Sequence, residues 1–307
     1  MTRGRTLRCV TAAGERDGRV AFLGLGIMGA PMAANLARAG IGVVAWNRSP
    51  EKAEALAAEH DNVEVAASAA GAAAAAGTAI AMVPDTPDVE EVLLGPGGAA
   101  DGLPDGGLAI DMSTIAPTAS RSIGERLGER GIAFLDAPVT GSRPKAEDGT
   151  LTIMAGGPQD AFERARPLFE VMGELVVHAG PQGHGSMVKL INNTLAAVNA
   201  AALAEGLVLA RAAGVDTGRA LEVVASGSGN STMVALKAEP MLSGRLEPLF
   251  KLEHMLKDVR HCIAEARALG VEPRVAEIAE RMYAEADEKG LGDRDFAAVI
   301  EAVQRRC

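Results

Sequence analysis

Aromatic residues are scarce in this chain of 307 residues: one Trp, one Tyr and six Phe, 3% of the whole. A core cannot be built here on interlocking rings, so small aliphatic side chains must set its packing distances. Cysteine is equally sparse. Cys9, Cys262 and Cys307 are odd in number and far apart, which excludes a fully paired disulfide framework and fits a reducing compartment. The five histidines, at 60, 178, 184, 254 and 261, follow no ligand spacing and there is no Cys-x-x-Cys pair, so no metal is expected. Basic residues are outnumbered 30 to 40, a formal charge of −10, which argues against a nucleic-acid surface and for small-molecule partners. No apolar window is long and continuous enough to read as a membrane span. The start, MTRGRTLRCVTAAGERDG, is basic but lacks the apolar region of a secretory signal. It reads as a flexible extension over residues 1–18, or as the product of an early start codon.

What is abundant is small and apolar. The hydrophobic fraction is 48%, enough for a sizeable core, and there are 36 glycines. From Arg19 to Gly180, short apolar runs (VAFLGL, IGVVAWN, TAIAMV, LAIDMST, IAFLDA, LTIMAG, LVVHAG) alternate with Ala-rich amphipathic stretches. Several runs are apolar throughout, as strands covered on both faces are, so this half reads as an α/β domain with a parallel sheet. Within it, Gly95–Gly107 (GPGGAADGLPDGG) is expected to be a turn-dense loop rather than a helix. GAAAAAG near residue 71 is expected to be a short helix or helix end. After Gln182 the pattern turns helical: one stretch of about thirty residues, GHGSMVKLINNTLAAVNAAALAEGLVLARAAG, then helices near 217–226, 230–239, 250–269, 272–288 and 294–305. The expected division is an α/β domain over 19–180 and an all-helical domain over 181–307, whose apolar surface invites burial against another subunit.

The strongest local signal is RVAFLGLGIMGAPMAANLARAG. A strand runs into Gly24-Leu25-Gly26-Ile27-Met28-Gly29, and an amphipathic helix follows. Gly24 permits the tight turn, Gly26 leaves room for a pyrophosphate and Gly29 allows close helix–strand packing, which makes this a Rossmann-like dinucleotide turn. The helix N-terminus then offers free N–H groups to the phosphates. The second strand ends in Trp46-Asn47-Arg48-Ser49, with no acid to engage a ribose 2′-hydroxyl. Arg48 can pair with a 2′-phosphate while Asn47 and Ser49 donate to it, so NADP(H) is favoured and NAD(H) remains possible; the plain alternative is a solvated Arg48. Met82-Val83-Pro84-Asp85 and Asp111-Met112-Ser113-Thr114 end two further strands, where they serve either as cofactor contacts or as structural turns. Lys189 and Asn193, four apart near the start of the long helix, share a face. Lys189 either snorkels to solvent or serves a pocket as a proton-transfer group. A dinucleotide-binding sensor or scaffold would need no such group.

Taken in order, GLGIMGAPMAANL, DMST, DAPVTGS with AEDGTLTIMAGG, GHGSMVKLINN, and Lys257-Asp258 resemble the β-hydroxyacid dehydrogenase family, over residues 19–305. That family includes 3-hydroxyisobutyrate dehydrogenases and the tartronate semialdehyde and glyoxylate/succinic semialdehyde reductases. The resemblance implies a Rossmann-like NAD(P)-binding domain followed by an all-α domain around one long helix, with a substrate pocket between them. It also implies a cytosolic oxidoreductase, acting on a CH–OH group, that assembles as a homodimer or homotetramer. It places the catalytic lysine on Lys189 and the substrate-orienting asparagine on Asn193. It places the family's substrate-binding Ser-Gly-Gly on Thr140, Gly141 and Ser142; Thr140 keeps the hydroxyl, while Ser142 adds a side chain where the family has glycine. Thr114, Lys257 and, more loosely, Phe250 correspond to contacts near the nicotinamide. Imine reductases share the glycine turn but lack the lysine. The loop GSRPKAEDGT is similar to that of the glyoxylate/succinic semialdehyde reductases, and Arg143 and Lys145 either favour a second carboxylate or are solvated.

Overall fold

The computed structural model describes residues 18–303, so the extension expected at the N-terminus lies, apart from Gly18, outside the described residues. The chain opens with β1 (Arg19–Leu23), α1 (Gly29–Arg38), β2 (Gly42–Trp46), α2 (Glu51–Glu59), β3 (Val63–Val65), α3 (Ala69–Ala76) and β4 (Thr78–Ala81). It continues through α4 (Thr86–Leu94), α5 (Ala99–Gly102), β5 (Leu108–Asp111), α6 (Pro117–Gly128) and β6 (Ala133–Asp136). These strands are parallel, in the order β3-β2-β1-β4-β5-β6, the doubly wound arrangement whose order reverses between β1 and β4. Alternate residues feed two cores. Val20, Phe22, Ile80 and Ile110 face one side, while Ala21, Leu23, Ala79 and Ala109 face the other.

After β6 the repetition breaks. β7 (Val139–Thr140), α7 (Ser142–Asp148), β8 (Leu151–Gly156), α8 (Gln159–Met172) and β9 (Gly173–Gly180) complete the sheet. β8 runs antiparallel to β6 and β7, because the link through α7 is too short for a parallel crossover; β9 then returns parallel to β8. Two strands carry no readable sequence signal. β3 is a three-residue strand with two exposed positions, and β7 has two residues. The segment Gly95–Gly107, expected to be all loop, contains the helical turn α5. That turn forms because it docks on α3 without side chains between them: a Cβ on Gly102 would fall 1.9 Å from the Ala70 carbonyl oxygen.

Beyond β9 the named elements are helical, apart from an isolated antiparallel bridge between Lys251 and Asp295: α9 (His184–Ala212), α10 (Thr217–Ser226), α11 (Thr232–Ser243), α12 (Leu252–Ala268) and α13 (Arg274–Ala286). A wide turn (Asp287–Leu291), a 3₁₀ turn (Phe296–Val299) and α14 (Ile300–Val303) stand in place of the single helix expected over 294–305. α11 passes through Pro240 rather than stopping before it. The 29-residue α9 reaches the length and mean hydropathy, 1.5, of a membrane span, which corrects the expectation that no segment does. Here it is a spine against β8, α11 and α12. Its buried stripe of Ala197, Ala200, Ala201, Ala204 and Leu207 follows helical spacing, and the lone tyrosine, Tyr283, reaches the Ala197 carbonyl oxygen from α13 at 3.2 Å.

The first turn of α9 lies backbone-on-backbone against the ends of β6 and β8. A Cβ on Gly185 would come within 2.3 Å of the Met154 carbonyl oxygen and 2.6 Å of that of Asp136. Gly185→Ala is therefore expected to destabilise the fold by about 1–3 kcal/mol, read from the midpoint of urea unfolding. Gly206, on the same helix, has nothing within 4 Å of where a methyl group would stand, and as alanine it should gain stability in the same measurement.

Candidate active site at the domain junction

The glycine turn closes β1 at the switch point. Gly24 has φ +99°, and a Cβ there would meet the Met82 carbonyl oxygen at 2.3 Å; a Cβ on Gly29 would meet the Gly24 carbonyl oxygen at 2.0 Å. Gly26 is different, for nothing lies within 4 Å of where its Cβ would be. Fold packing thus requires glycine at 24 and 29, whereas open space surrounds 26. α1 begins here with no side-chain cap at Met28 and no acid in its first turn, leaving its positive end available to an anion. Ile27 is exposed at the turn's tip. The Leu25 N–H donates to Asn47 Oδ1 at 2.7 Å, and Asn47 Nδ2 donates to the Ser49 carbonyl oxygen at 2.9 Å, so Asn47 braces the turn as well as bordering it. Arg48 stands largely in solvent, 3.6 Å from Asp88 Oδ1, with its guanidinium free to turn. The turn, the bare helix end and the absence of an acid at 47–49 fit a dinucleotide bearing a 2′-phosphate.

The loops after β4 and β5 are tied to α12. Lys257 Nζ donates to the Thr114 carbonyl oxygen at 2.7 Å and to that of Pro84 at 3.1 Å, and lies 3.6 Å from Asp85. The Val83 N–H donates to Ser113 Oγ at 3.0 Å, and the Ser113 N–H donates to Asp111 Oδ1 at 3.0 Å. Asp111 is wholly buried with Oδ2 unpartnered, and burial pushes its carboxyl up to about 6, against the opposing pull of Ser113. Met82, Val83, Pro84 and Thr114 therefore line one structural seam between the sheet and the helical half.

Lys189 and Asn193 are both buried on the inner face of α9. Burial pushes the Lys189 ammonium down from its ordinary range to about 8; Asp258 opposes the shift and Lys257 adds to it. Lys189 makes no hydrogen bond among the described residues, which leaves its amine uncommitted. Asn193 Nδ2 donates to Asp258 Oδ2 at 2.6 Å, and Asn193 Oδ1 accepts from Asn192 at 3.1 Å. Asp258 is fully buried, with its other oxygen 3.5 Å from Lys257 Nζ. Lys189, Asn193, Asp258 and Lys257 thus form one electrostatic group spanning α9 and α12.

Two other sequence candidates make no hydrogen bond to this group among the described residues. Thr140, Gly141 and Ser142 sit on β7 and the start of α7, and among the described residues no hydrogen bond joins them to Lys189 or Asn193. Gly141 has φ +138° and Ser142 +58°, making Ser142 the one non-glycine residue in the left-handed region among those described. Phe250 packs its ring on Phe296 at 6.2 Å and His254 at 5.9 Å, within the helical half. Sequence reading missed Asp136, Gln182 and Glu265, which bridge the two halves. For Asp136 the available signal was an acid closing an otherwise apolar strand.

A switch-point dinucleotide turn in one half and, in the other, a buried lysine whose pKa burial lowers define an NAD(P)-dependent oxidoreductase. Comparison with known proteins agrees. Residues 19–180 match the NAD-binding domain of 6-phosphogluconate dehydrogenase, and residues 183–303 match the NAD-binding domain of NADP-dependent 3-hydroxyisobutyrate dehydrogenase. The chain is 37% identical to glyoxylate/succinic semialdehyde reductase 1 of Arabidopsis thaliana, over 93% of this chain and 98% of that one. It is 34% identical to 2-hydroxy-3-oxopropionate reductase of Escherichia coli, over 93% and 97%. The structure superposes on 3-hydroxyisobutyrate dehydrogenase of Mycobacterium tuberculosis, solved with L-serine, with a TM-score of 0.86 and 32% identity, over 94% of this chain and 99% of that one. The chain belongs to the β-hydroxyacid dehydrogenase family.

The two central glycines should separate folding from binding. Gly26→Ala is expected to leave the thermal midpoint unchanged and to weaken NADP(H) at least about tenfold, close to 1.4 kcal/mol, in a fluorescence titration. Gly24→Ala should lower the midpoint, since its Cβ meets backbone.

Proposed function

We propose that this protein interconverts a small β-hydroxyacid of the 3-hydroxyisobutyrate type and its semialdehyde, with Lys189 as general acid and base. The observation that carries the reading is a buried lysine, uncommitted in hydrogen bonding and held near pKa 8, at the junction with a dinucleotide turn. A nicotinamide cofactor bound by these residues would supply the hydride-transfer chemistry, with the carbinol carbon as hydride donor in oxidation and the aldehyde carbon as acceptor in reduction. Neutral Lys189 takes the hydroxyl proton in oxidation, and the ammonium returns a proton to the developing alkoxide in reduction. Asn193, steadied by Asp258, keeps its second N–H for the reacting oxygen. Thr140 and Gly141 bind the substrate carboxylate, with Ser142 narrowing that end. Gly24 to Gly29 with Leu25, Ile27 and Met28 cradle the pyrophosphate. Arg48, Asn47 and Ser49 take the adenosine end; Met82, Val83, Pro84, Thr114, Lys257 and Phe250 border the nicotinamide end.

A second reading is an NADPH-dependent reductase of glyoxylate, succinic semialdehyde or tartronate semialdehyde. It is favoured by Arg48 at the β2 end and by the loop at 141–150. There Arg143 is paired with Glu147 at 2.7 Å, while Lys145 stands exposed against Gly141, with no ion pair among the described residues, available to a second carboxylate. We further propose a division near residue 180, a cytoplasmic location and a homodimer or homotetramer. The assembly rests on Val188, Ile191 and Leu195, exposed along α9.

Lys189→Ala should reduce turnover by about 10²–10⁴-fold with NADP(H) affinity intact; undiminished turnover would falsify the proton-transfer role. In the native enzyme, oxidation should rise and reduction should fall as pH increases through about 8, because oxidation needs the neutral amine and reduction the ammonium. An absorbance assay over 3-hydroxyisobutyrate, serine, glycerate, 4-hydroxybutyrate and their aldehydes separates the two substrate readings. Arg48→Asp should weaken NADP more than NAD; equal losses would reject the role of Arg48.

A further inference from the structure

Two helices at the junction begin without caps of their own, and each is capped from the opposite domain. α9 starts after Gly183, a residue with φ +87° and no side chain to cap it; the His184 N–H reaches the Pro181 carbonyl oxygen at 3.0 Å, while the Gly183 and Ser186 N–H groups need a side chain from elsewhere. Asp136, fully buried at the end of β6, fills that role: Oδ1 accepts from the Gly183 N–H at 2.7 Å and Oδ2 from the Ser186 N–H at 2.6 Å. Gln182 Nε2 adds a third bond to Oδ1 at 2.7 Å and also donates to Ser120 Oγ on α6 at 2.9 Å. Conversely, α6 starts after Ala116, which cannot cap, and with Pro117. Glu265, buried on α12, accepts from the Thr118 N–H at 2.9 Å through Oε1, while Oε2 lies 3.4 Å from Arg121.

The two caps close a ring around the reacting groups. Asp136 holds the first turn of α9; one turn further on is Lys189, and one more brings Asn193 to Asp258 of α12. Two turns along α12, Glu265 holds α6, whose Ser120 returns through Gln182 to Asp136. Because the cap bonds are made to backbone, they fix the rotation and height of α9 against the sheet rather than one rotamer. A misplacement of about 1 Å at a reacting group can cost about 10²-fold in rate.

We infer that Asp136 and Glu265 are reciprocal positioning residues, each capping the other domain's helix so that Lys189, Asn193 and the Thr114 loop keep their mutual geometry. The inference rests on Lys189 being the proton-transfer group. Neither carboxylate touches the glycine turn, so their loss acts on turnover more than on cofactor capture.

The test uses the full chain, with kcat expressed per NADP(H)-binding site so that unfolded protein does not count. Asp136→Asn, whose amide cannot accept from both N–H groups, should lower kcat on the order of 10²-fold with NADP(H) Kd unchanged. Should that variant fail to fold, Gln182→Met removes one bond of the three and should lower kcat about 2- to 10-fold. Glu265→Ala should lower kcat about tenfold and raise the cofactor KM, since α6 follows the Thr114 loop. Glu265→Gln, which keeps an oxygen for Thr118, should restore most of both. Wild-type kcat in Asp136→Asn or Gln182→Met, or a Glu265→Gln as impaired as Glu265→Ala, overturns the inference. Lys189→Ala in the same assay separates the two levels: if it is inactive while Asp136→Asn is unimpaired, only the positioning fails; if it retains turnover, both fail.

Discussion

A lysine held in a desolvated junction is the constraint around which this structure is arranged. An ammonium away from water must either be neutralised by a partner or lose its proton more readily. Here both tendencies act at once. Burial lowers the Lys189 pKa toward 8, while Asp258 keeps the fall from going further. Asp258 has no access to solvent and shares its two oxygens between Asn193 and the neighbourhood of Lys257. Lys257 in turn directs its hydrogen bonds to the carbonyls of Pro84 and Thr114. One buried carboxylate therefore connects Lys189 on α9 to the loops at the carboxyl ends of β4 and β5. Removing Asp258 would leave the Lys189 ammonium buried without its counter-charge, the costly way to break such a pair.

The packing that surrounds this group follows from what the composition withholds. With few rings available, close approach is achieved by alanine and glycine. The α9 spine is lined by alanines at helical spacing, α5 rests on α3 through Gly102, and Gly156 and Gly185 bring strand and helix backbones together. Such contacts leave little room for sliding. Backbone-to-carboxylate bonds from Asp136 can then index the helix against the sheet, because backbone positions, unlike long side chains, have no rotamers to absorb an error.

A second buried pair follows the same logic in the helical half. Lys237 donates to both oxygens of Asp295 at 2.7 and 2.9 Å, and lies 4.0 Å from the Phe296 ring centroid. Asp295 also accepts from the N–H groups of Leu249, Phe250 and Ala297. This pair is fully satisfied and holds the segment that leads into α12, so the placement of Lys257 and Asp258 depends on it as well. Phe250 is anchored by the same carboxylate, which explains why its ring belongs to the helical core.

Much of the fold was legible from local pattern. Long apolar strands, the glycine turn and the helical period of α9 are signals that neighbouring residues generate among themselves, and Gly24, Gly26 and Gly29 could be assigned separate tasks from the stereochemistry of a tight turn. The candidate Lys189–Asn193 pair was legible for the same reason, since four residues along a helix share a face. What the sequence could not show arises from contacts between distant segments. β3 and β7 exist only because a neighbouring strand supplies their hydrogen bonds; α5 forms because α3 receives it; β8 reverses because its connection is short. Asp136, Glu265 and Asp258 are ordinary acids until the tertiary structure sets the first two against helix ends and the third beside Asn193 and Lys189, all more than 40 positions away. Local spacing determined the elements and the chemistry they could carry. Only the tertiary structure decided how far Lys189 is removed from water, and therefore which of its two protonation states is within reach.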